Sequence, residues 1–210
     1  MKTSIKYYCF LTFFLIGITS SFSQEDTSKW KALIAFGLNS PSQDGVVNPF
    51  EAKSINFPTI NLGIQHMFKP QIGAKLDYGY NRFANADDTP EFKVNYTRIN
   101  AQFVYDATRD FTFLPIGVGF VAHAGPGFSM IKPLADYKDN KTSFLNVMAG
   151  VELHYKIDRT ISVFLDTSYI YGFAGEFDPV SEGYGSFNGN LLTITAGISF
   201  SLSGCTYCND

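Results

Sequence analysis

The sequence predicts an all-β fold, an eight-stranded antiparallel up-and-down transmembrane β-barrel. Three observations support this prediction. From residue 30 onward, apolar residues recur at every second position, which is the period of a strand with one apolar face. Charged residues make up only 17% of the chain and aromatic residues 16%, whereas a soluble domain usually carries about 25% charged residues. Long and short connections alternate between the predicted strands, as they do in outer-membrane barrels.

The N-terminal segment is predicted to be a signal peptide that lies outside the fold. Lys2 and Lys6 form its basic start, residues 7–18 form an apolar segment too short for a membrane helix, and residues 21–23 place serines at the recognition positions. The rest of the chain has no run of 18 apolar residues, so no membrane helix is predicted. The predicted domains are a signal peptide at residues 1–23, a barrel at 24–204 and a periplasmic tail at 205–210.

The first four predicted strands, at residues 30–38, 59–67, 71–83 and 94–105, set apolar side chains against polar or small ones. In the third strand, Leu76 alternates with Lys75 and Asp77. The apolar faces of the four strands comprise Trp30, Ala32, Ile34, Phe36 and Leu38, then Ile60, Leu62 and Ile64, then Ile72, Ala74, Leu76, Tyr78 and Tyr80, then Ile99, Ala101, Phe103 and Tyr105.

The fifth predicted strand, at about residues 114–130, is rich in glycine and alternates least clearly. The sixth to eighth strands are predicted at residues 144–155, 161–171 and 191–202. The long connections span residues 39–58, 84–93, 131–143 and 172–190, and the short ones residues 68–70, 106–110 and 156–159. Four long and three short connections place both termini at the short-turn side, so the termini are predicted to be periplasmic and the long loops extracellular.

The apolar faces are predicted to point outward into lipid. A soluble lipocalin-like barrel, the alternative, would point them inward around a ligand. Its outer surface would carry more charge than the glycine-rich polar face found here. Aromatic residues also gather near the strand ends, where membrane barrels have interfacial girdles. The predicted girdle residues are Trp30, Tyr78, Tyr80, Phe83, Tyr105, Tyr155, Tyr169, Tyr171 and Phe200.

The last predicted strand carries a pattern of polar, glycine, aromatic and hydrophobic residues at Thr195, Gly197, Phe200 and Leu202. With the signal peptide and the eight strands, the chain resembles the OmpA-like transmembrane β-barrel family of Bacteroidetes outer membranes. The resemblance implies that this pattern is an assembly signal for the barrel-assembly machinery, and that the barrel contacts outer-membrane lipid and lipopolysaccharide. Larger members continue into a peptidoglycan-binding domain, which is not predicted here because the chain ends at Asp210.

Six titratable residues are predicted to face the barrel interior as a charge network: Lys75, Asp77, Arg98, Glu152, His154 and Asp166. A narrow eight-stranded barrel is filled by its side chains, so such residues are expected to pair with one another. One interpretation is a purely structural network. The other is a gate, in which a Lys75/Arg98–Glu152/Asp166 network rearranges to open a narrow pore.

No catalytic, cofactor-binding or metal site is predicted. His66, His123 and His154 are potential ligands or bases, but the sequence contains no serine–histidine motif typical of lipid-modifying barrel enzymes. Cys205 and Cys208 form a CxxC without the second ligand pair that zinc requires, so a disulfide is a possible state.

The predicted function is structural or interactive, in envelope integrity or adhesion. A narrow gated diffusion channel is the alternative, and a lipid-modifying enzyme is less favoured. Loops 39–58 and 172–190, the second containing Glu176, Asp178 and Glu182, are the predicted sites for an extracellular partner. Nucleic acid is not predicted as a partner, because loss of the two signal-peptide lysines takes the net charge from −3 to −5.

Overall fold

A computed structural model describes residues 29–175 and 183–202, and within them eight strands close into one barrel. The predicted signal peptide, the predicted tail with Cys205 and Cys208, and the loop residues Glu176, Asp178 and Glu182 lie outside the described residues. The strands are β1 (Trp30–Pro41), β2 (Asn56–Met67), β3 (Ile72–Ala84), β4 (Lys93–Asp106), β5 (Val118–Pro133), β6 (Thr142–Lys156), β7 (Ile161–Phe173) and β8 (Leu191–Ser201). The described part of the chain contains no helix with the length and apolar character needed to cross a membrane.

Each strand pairs antiparallel with its neighbours in sequence, and β1 pairs with β8 to close the barrel. Ile34 of β1, for example, lies opposite Leu62 of β2 on one side and opposite Ile198 of β8 on the other. Closure leaves no edge strand with unpaired amide groups. The predicted eight-stranded up-and-down fold is confirmed.

We call the two rims of the barrel the loop end and the turn end. The loop end carries the connections after β1, β3, β5 and β7, and the turn end carries the remaining three connections together with the start of β1 and the end of β8.

Side chains alternate between the outer surface and the interior along the strands. In β3, Leu76 is 57% exposed whereas Lys75 and Asp77 beside it are 5% and 4% exposed. One member of the predicted girdle was assigned to the wrong face. Phe83 is only 1% exposed and points inward, because it lies an odd number of residues from Tyr78 and Tyr80.

The β4–β5 connection differs from the predicted short turn at residues 106–110. It spans residues 107–117, because β5 begins at Val118 rather than near Leu114. The segment forms successive turns, with Asp110 N–H donating to Ala107 O and Val118 N–H donating to Pro115 O. It is therefore longer than the loop-end connection at residues 85–92, and the predicted alternation of four long and three short connections is only partly correct.

The barrel interior holds buried polar residues together with three apolar clusters. An apolar cluster, which we call the cap, fills the loop end: Phe50, Ala52, Phe83, Phe92, Val94, Tyr96, Ile131, Phe144, Met148, Ile170, Phe187 and Leu191. Two smaller clusters lie toward the turn end: Leu33, Ala35 and Phe164, and Met67, Val104 and Val121. The polar layer contacts both sides, since Tyr96 bonds Ser129 and His154 stacks on Phe164.

Candidate functional site

All six residues of the predicted charge network lie on the inner face of the barrel. Lys75 and Asp77 come from β3, Arg98 from β4, Glu152 and His154 from β6, and Asp166 from β7. Strand alternation aims them inward, and the small barrel radius brings opposite walls within contact distance. The structure thus gathers these residues, although their functional role stays a prediction.

Lys75 and Glu152 form an ion pair across the barrel. Lys75 Nζ lies 2.6 Å from Glu152 Oε1, and the two side chains are 4% and 1% exposed. The other carboxylate oxygen, Oε2, lies 2.7 Å from His154 Nε2. Both oxygens of this buried carboxylate therefore have partners, as a charge removed from water requires.

Arg98 forms a second ion pair, with Asp77 on the adjacent strand. Its side chain is fully buried, and it also donates to Asn61 Oδ1 at 3.0 Å and to Asn100 Oδ1 at 3.2 Å. The predicted gate grouped Arg98 with Glu152 and Asp166, whereas in the structure Arg98 pairs with Asp77 instead.

Gly79 makes room for the Arg98 guanidinium. A Cβ atom at Gly79 would lie 2.7 Å from Arg98 Cζ, closer than real Cβ contacts allow. The buried ion pair of β3 and β4 therefore depends on a residue without a side chain at this position.

Replacing Gly79 by alanine is expected to lower the free energy of unfolding by about 1–3 kcal/mol, because the added methyl group displaces the guanidinium. The measurement is equilibrium unfolding by urea in lipid vesicles. The matched control is Gly63→Ala on β2, where the nearest side-chain atoms would lie 3.5 Å and 3.7 Å away. Equal losses in the two variants would contradict the proposed dependence on Gly79.

His123 of β5 is a central member of the network that the sequence did not assign to it. Its Nδ1 atom lies 2.5 Å from Gln102 Oε1, and its Nε2 atom lies 3.1 Å from Asp166 Oδ2. Ser168 donates to the other Asp166 oxygen at 2.5 Å. The glycines of β5 obscured the period-two pattern that would have placed His123 inside.

His123, Glu152 and Asp166 are the described residues whose ligand atoms could hold a metal ion together, since these atoms lie within 4.8 Å of one another. One imidazole and two carboxylates suit zinc or iron. However, the Lys75 ammonium already neutralises Glu152 at 2.6 Å. A metal ion would have to displace this contact, so the geometry favours an internal salt-bridge network.

Ser162, His154 and Glu152 form a hydrogen-bonded chain near the turn end. Ser162 Oγ lies 3.2 Å from His154 Nδ1, and His154 Nε2 lies 2.7 Å from Glu152 Oε2. The residue types match a nucleophile, a base and an acid. Strand β7 is paired on both sides at Ser162, however, so its backbone N–H groups are used in the sheet and cannot form an oxyanion hole. The geometry of these hydrogen bonds is better suited to holding the Glu152 side chain in place.

His66 is separate from the other two histidines. It lies on the outer face of β2, with its ring 4.4 Å from Trp30 and 5.0 Å from Phe68, measured between ring centroids. The three histidines therefore do not form a common site.

A relay of polar side chains connects the charged layer with the cap. Asn100 donates to Asn146 Oδ1 at 2.5 Å, Asn146 donates to Ser129 Oγ at 2.8 Å, and Ser129 bonds the Tyr96 hydroxyl at 2.7 Å. These side chains are buried and come from β4, β5 and β6. They occupy part of the barrel interior and are hydrogen-bonded to one another.

The loop-end connections pack against one another over the mouth of the barrel. Phe187 of the β7–β8 connection is fully buried, with its ring centroid 4.9 Å from that of Phe83 and 6.1 Å from that of Tyr96. Asn188 N–H donates to Gly45 O at 2.9 Å, which ties this connection to the β1–β2 loop. Phe187 falls within the predicted loop at 172–190, and its role in closing the barrel was not predicted from the sequence.

The four residues of the predicted assembly signal all lie among the described residues. Thr195 is buried inside, whereas Phe200 and Leu202 are 40% and 60% exposed. Gly197 faces inward, and a Cβ atom there would lie 2.7 Å from the Phe164 ring. Ile34 O and Ala35 Cβ of β1 would lie closer still, so the close approach of β1 and Phe164 accounts for this glycine, while recognition by an assembly machinery stays a prediction.

The fold and the filled interior define the class of small eight-stranded up-and-down barrels. Three similar solved structures are Neisserial surface protein A (TM-score 0.55, 12% identity, covering 85% of this chain and 100% of that chain), a major outer membrane protein from Thermus thermophilus (0.57, 14%, 82% and 98%), and the N-terminal β-barrel domain of Pseudomonas aeruginosa OprF (0.50, 12%, 81% and 96%). At these identities the likeness concerns the fold alone. No family model and no curated protein matches the sequence.

Proposed function

We propose that this protein is an integral outer-membrane barrel that acts as a structural or interaction protein and does not conduct. The observation that carries the proposal is the filled interior, in which buried ion pairs such as Lys75–Glu152 lie below the apolar cap and beside two smaller apolar clusters. A channel would require these buried pairs to separate, which leaves buried charges without partners.

The outer surface supports placement in a membrane. Large apolar side chains point outward from every strand and are about half exposed, among them Phe36, Ile64, Phe103 and Leu165. A soluble protein rarely exposes an apolar surface of this extent. Lipid covers such a surface, and the closed sheet satisfies the backbone hydrogen bonds that lipid cannot.

The organised loop end supports an interaction role. Gln43 donates to Ala52 O at 2.7 Å and accepts from Ala52 N–H at 3.1 Å, which orders the β1–β2 loop. Ser186 donates to Asn140 O at 2.7 Å, which joins the β7–β8 connection to the β5–β6 loop. Ordered loops bind a partner with a smaller entropic cost than mobile ones. We therefore assign adhesion or envelope contacts to the loops at 39–58 and 172–190.

The proposed orientation places the loop end outside the cell and the turn end in the periplasm. In a background where Cys205 and Cys208 are serine, Asp87→Cys at the loop end should react with an impermeant maleimide on intact cells. Asp87 is 91% exposed at its side chain. Lys69→Cys in the β2–β3 turn, which is also exposed, should react only after permeabilisation. The reverse pattern would overturn the orientation, and absence from the outer-membrane fraction would overturn the location.

Absence of conductance is the expected result for the refolded protein in planar lipid bilayers, because its interior is filled. Heat-modifiable mobility on gels would show that the barrel has folded and inserted, and a large-pore porin in the same bilayers would serve as the positive control. Reproducible unitary currents above the lipid background would favour the gated diffusion channel instead.

A deletion strain separates the two structural roles. If the protein maintains envelope integrity, the deletion strain should be more sensitive to detergent. If the protein acts in adhesion, the strain should attach more weakly to surfaces with unchanged detergent sensitivity. Complementation with the wild-type gene is the control for both measurements. If neither property changes, the proposed structural and interaction role is wrong.

A further inference from the structure

The β4–β5 connection presents apolar side chains that are held away from the barrel. Phe113 is 78% exposed and Ile116 is fully exposed. The Phe111 ring packs against Phe113 and Phe120, at 5.5 Å and 5.2 Å between centroids. The connection is therefore ordered, and its exposed apolar groups are a fixed feature of the turn end.

Side-chain contacts anchor this connection to the neighbouring turn. Asp110 accepts from the Tyr105 hydroxyl at 2.7 Å and from Gln71 Nε2 at 3.2 Å. Its carboxylate is thus engaged within the protein. Two further exposed apolar residues lie at the same rim, Phe68 in the β2–β3 turn at 62% and Ile157 in the β6–β7 turn at 61%.

The described part of this rim carries an excess of positive charge, although the chain as a whole is acidic. Among the described residues, six bases lie at or beside the turn end against three acids, Asp106, Asp110 and Asp158. The bases are Lys29, Lys31, Lys69, Arg109, Lys156 and Arg159. Exposed apolar groups combined with cations characterise surfaces that bind the headgroup region of anionic lipid.

We propose that the turn end binds an anionic phospholipid leaflet, with Phe113 and Ile116 at the acyl-chain boundary and the basic residues at the phosphates. The apolar residues belong to all three turns and so surround the rim, whereas a protein partner would be expected to use one contiguous patch. A planar lipid surface fits this distribution. The inference rests on the proposed membrane location and names the lipid class that the turn end recognises.

Trp30 provides the first test, because it is the only tryptophan and lies at the turn end. The protein would be refolded into phosphatidylcholine vesicles containing equal fractions of either brominated phosphatidylglycerol or brominated phosphatidylcholine. Quenching of Trp30 fluorescence should be at least twofold stronger with the anionic lipid, and 0.5 M salt should reduce the difference because it screens surface charge.

Charge variants make the first test specific to the turn end. The quadruple variant Lys69→Gln, Arg109→Gln, Lys156→Gln and Arg159→Gln should lose the preference for brominated phosphatidylglycerol. A matched loop-end variant, Lys53→Gln, Lys93→Gln, Lys132→Gln and Lys138→Gln, should keep it. Equal quenching by both lipids in the wild-type protein would overturn the proposal. Stronger quenching of Trp30 by brominated lipid A, without stronger quenching by brominated phosphatidylglycerol, would overturn the choice of phospholipid.

The second test concerns the depth of the β4–β5 connection. In a Trp30→Phe background, the tryptophan of Ile116→Trp should emit at shorter wavelength in anionic vesicles than in phosphatidylcholine vesicles. In the anionic vesicles its fluorescence should also be protected from quenching by acrylamide. Water-like emission in both vesicles, with full acrylamide access, would leave this surface to a protein partner and refute lipid binding. Heat-modifiable mobility, measured on the same samples, distinguishes this result from failure of the barrel to insert, which would refute the membrane location as well.

Discussion

Replacing Arg98 by methionine is expected to lower the free energy of unfolding by about 3–5 kcal/mol, the usual effect of removing one partner of a buried ion pair. Arg98 is fully buried, and its loss leaves the Asp77 carboxylate, itself nearly inaccessible, without its cation. Asn61 and Asn100 lose a hydrogen-bond donor at the same time. The change would be measured by urea unfolding in lipid vesicles, with Trp30 fluorescence and gel mobility as independent signals.

Two further variants identify the cause of that loss. Arg82→Met removes the same charge from an exposed position on β3 and should have a much smaller effect, because exposed interactions contribute about 1 kcal/mol or less. The double variant Arg98→Met and Asp77→Leu should recover at least half of the stability lost by Arg98→Met, since no unpaired carboxylate remains. If the double variant is no more stable than the single one, uncompensated charge is not the main cause.

Replacing Phe187 by alanine is expected to destabilise the cap by about 3–5 kcal/mol, the range for deletion of a fully buried phenylalanine side chain. The Phe187 ring touches Phe83 and Tyr96 inside the barrel mouth, so its loss creates a cavity between β3 and β4 on one side and the loops on the other. The loop end should open before the barrel unfolds. Limited proteolysis of the refolded protein in vesicles would detect faster cleavage of the β7–β8 connection, with the strands still protected.

Phe57→Ala is the control for the cap, because this ring is 67% exposed at the start of β2 near the same end. Its removal should not accelerate cleavage of the β7–β8 connection. Unchanged protease sensitivity of Phe187→Ala would mean that Phe187 is not needed to keep the cap closed. Backbone contacts between the connections, such as the Asn188–Gly45 hydrogen bond, would then be sufficient. The planar-bilayer recording of Phe187→Ala adds a second readout, since current in this variant but not in the wild-type protein would place the barrier to ions at the cap.

Strand periodicity allowed the interior residues to be assigned, but not their partners. Lys75 and Glu152 were both predicted to face inward, and alternation is sufficient for that conclusion. Their contact at 2.6 Å joins strands that are not neighbours, so it depends on the tilt and stagger of the whole barrel. Arg98 and Asp77 lie on adjacent strands, with Arg98 opposite Gly79 and Asp77 opposite Asn100, so their pairing depends on the register of β3 and β4, which the sequence did not predict. Of the predicted Lys75/Arg98–Glu152/Asp166 network, the structure contains the Lys75–Glu152 contact, whereas Arg98 pairs with Asp77.

Local sequence signals failed where glycine and proline interrupt the alternation. In β5, glycines at 119, 125 and 127 obscured the inward position of His123, and the start of the strand was placed too early. Pro115 and Gly117, the second with φ of +88°, form the end of the β4–β5 connection, whereas the predicted strand already included them. Ile116 was therefore counted as a strand residue, while Phe111 and Phe113 fell between the predicted connection at 106–110 and the predicted strand.

The sequence by itself determined the number of strands and their two faces, because a period of two in hydrophobicity is a property of each strand alone. The outward direction of the apolar face followed from the low charge content and the aromatic residues near the strand ends, and the up-and-down order followed from the connections. Only the tertiary structure decided that Phe187 closes the loop end, that His123 joins Asp166, and that Phe113 and Ile116 stand exposed among the basic residues of the turn end. These features arise from contacts between segments far apart in the chain. Their geometry is fixed by barrel closure, which the local pattern of any one strand does not contain.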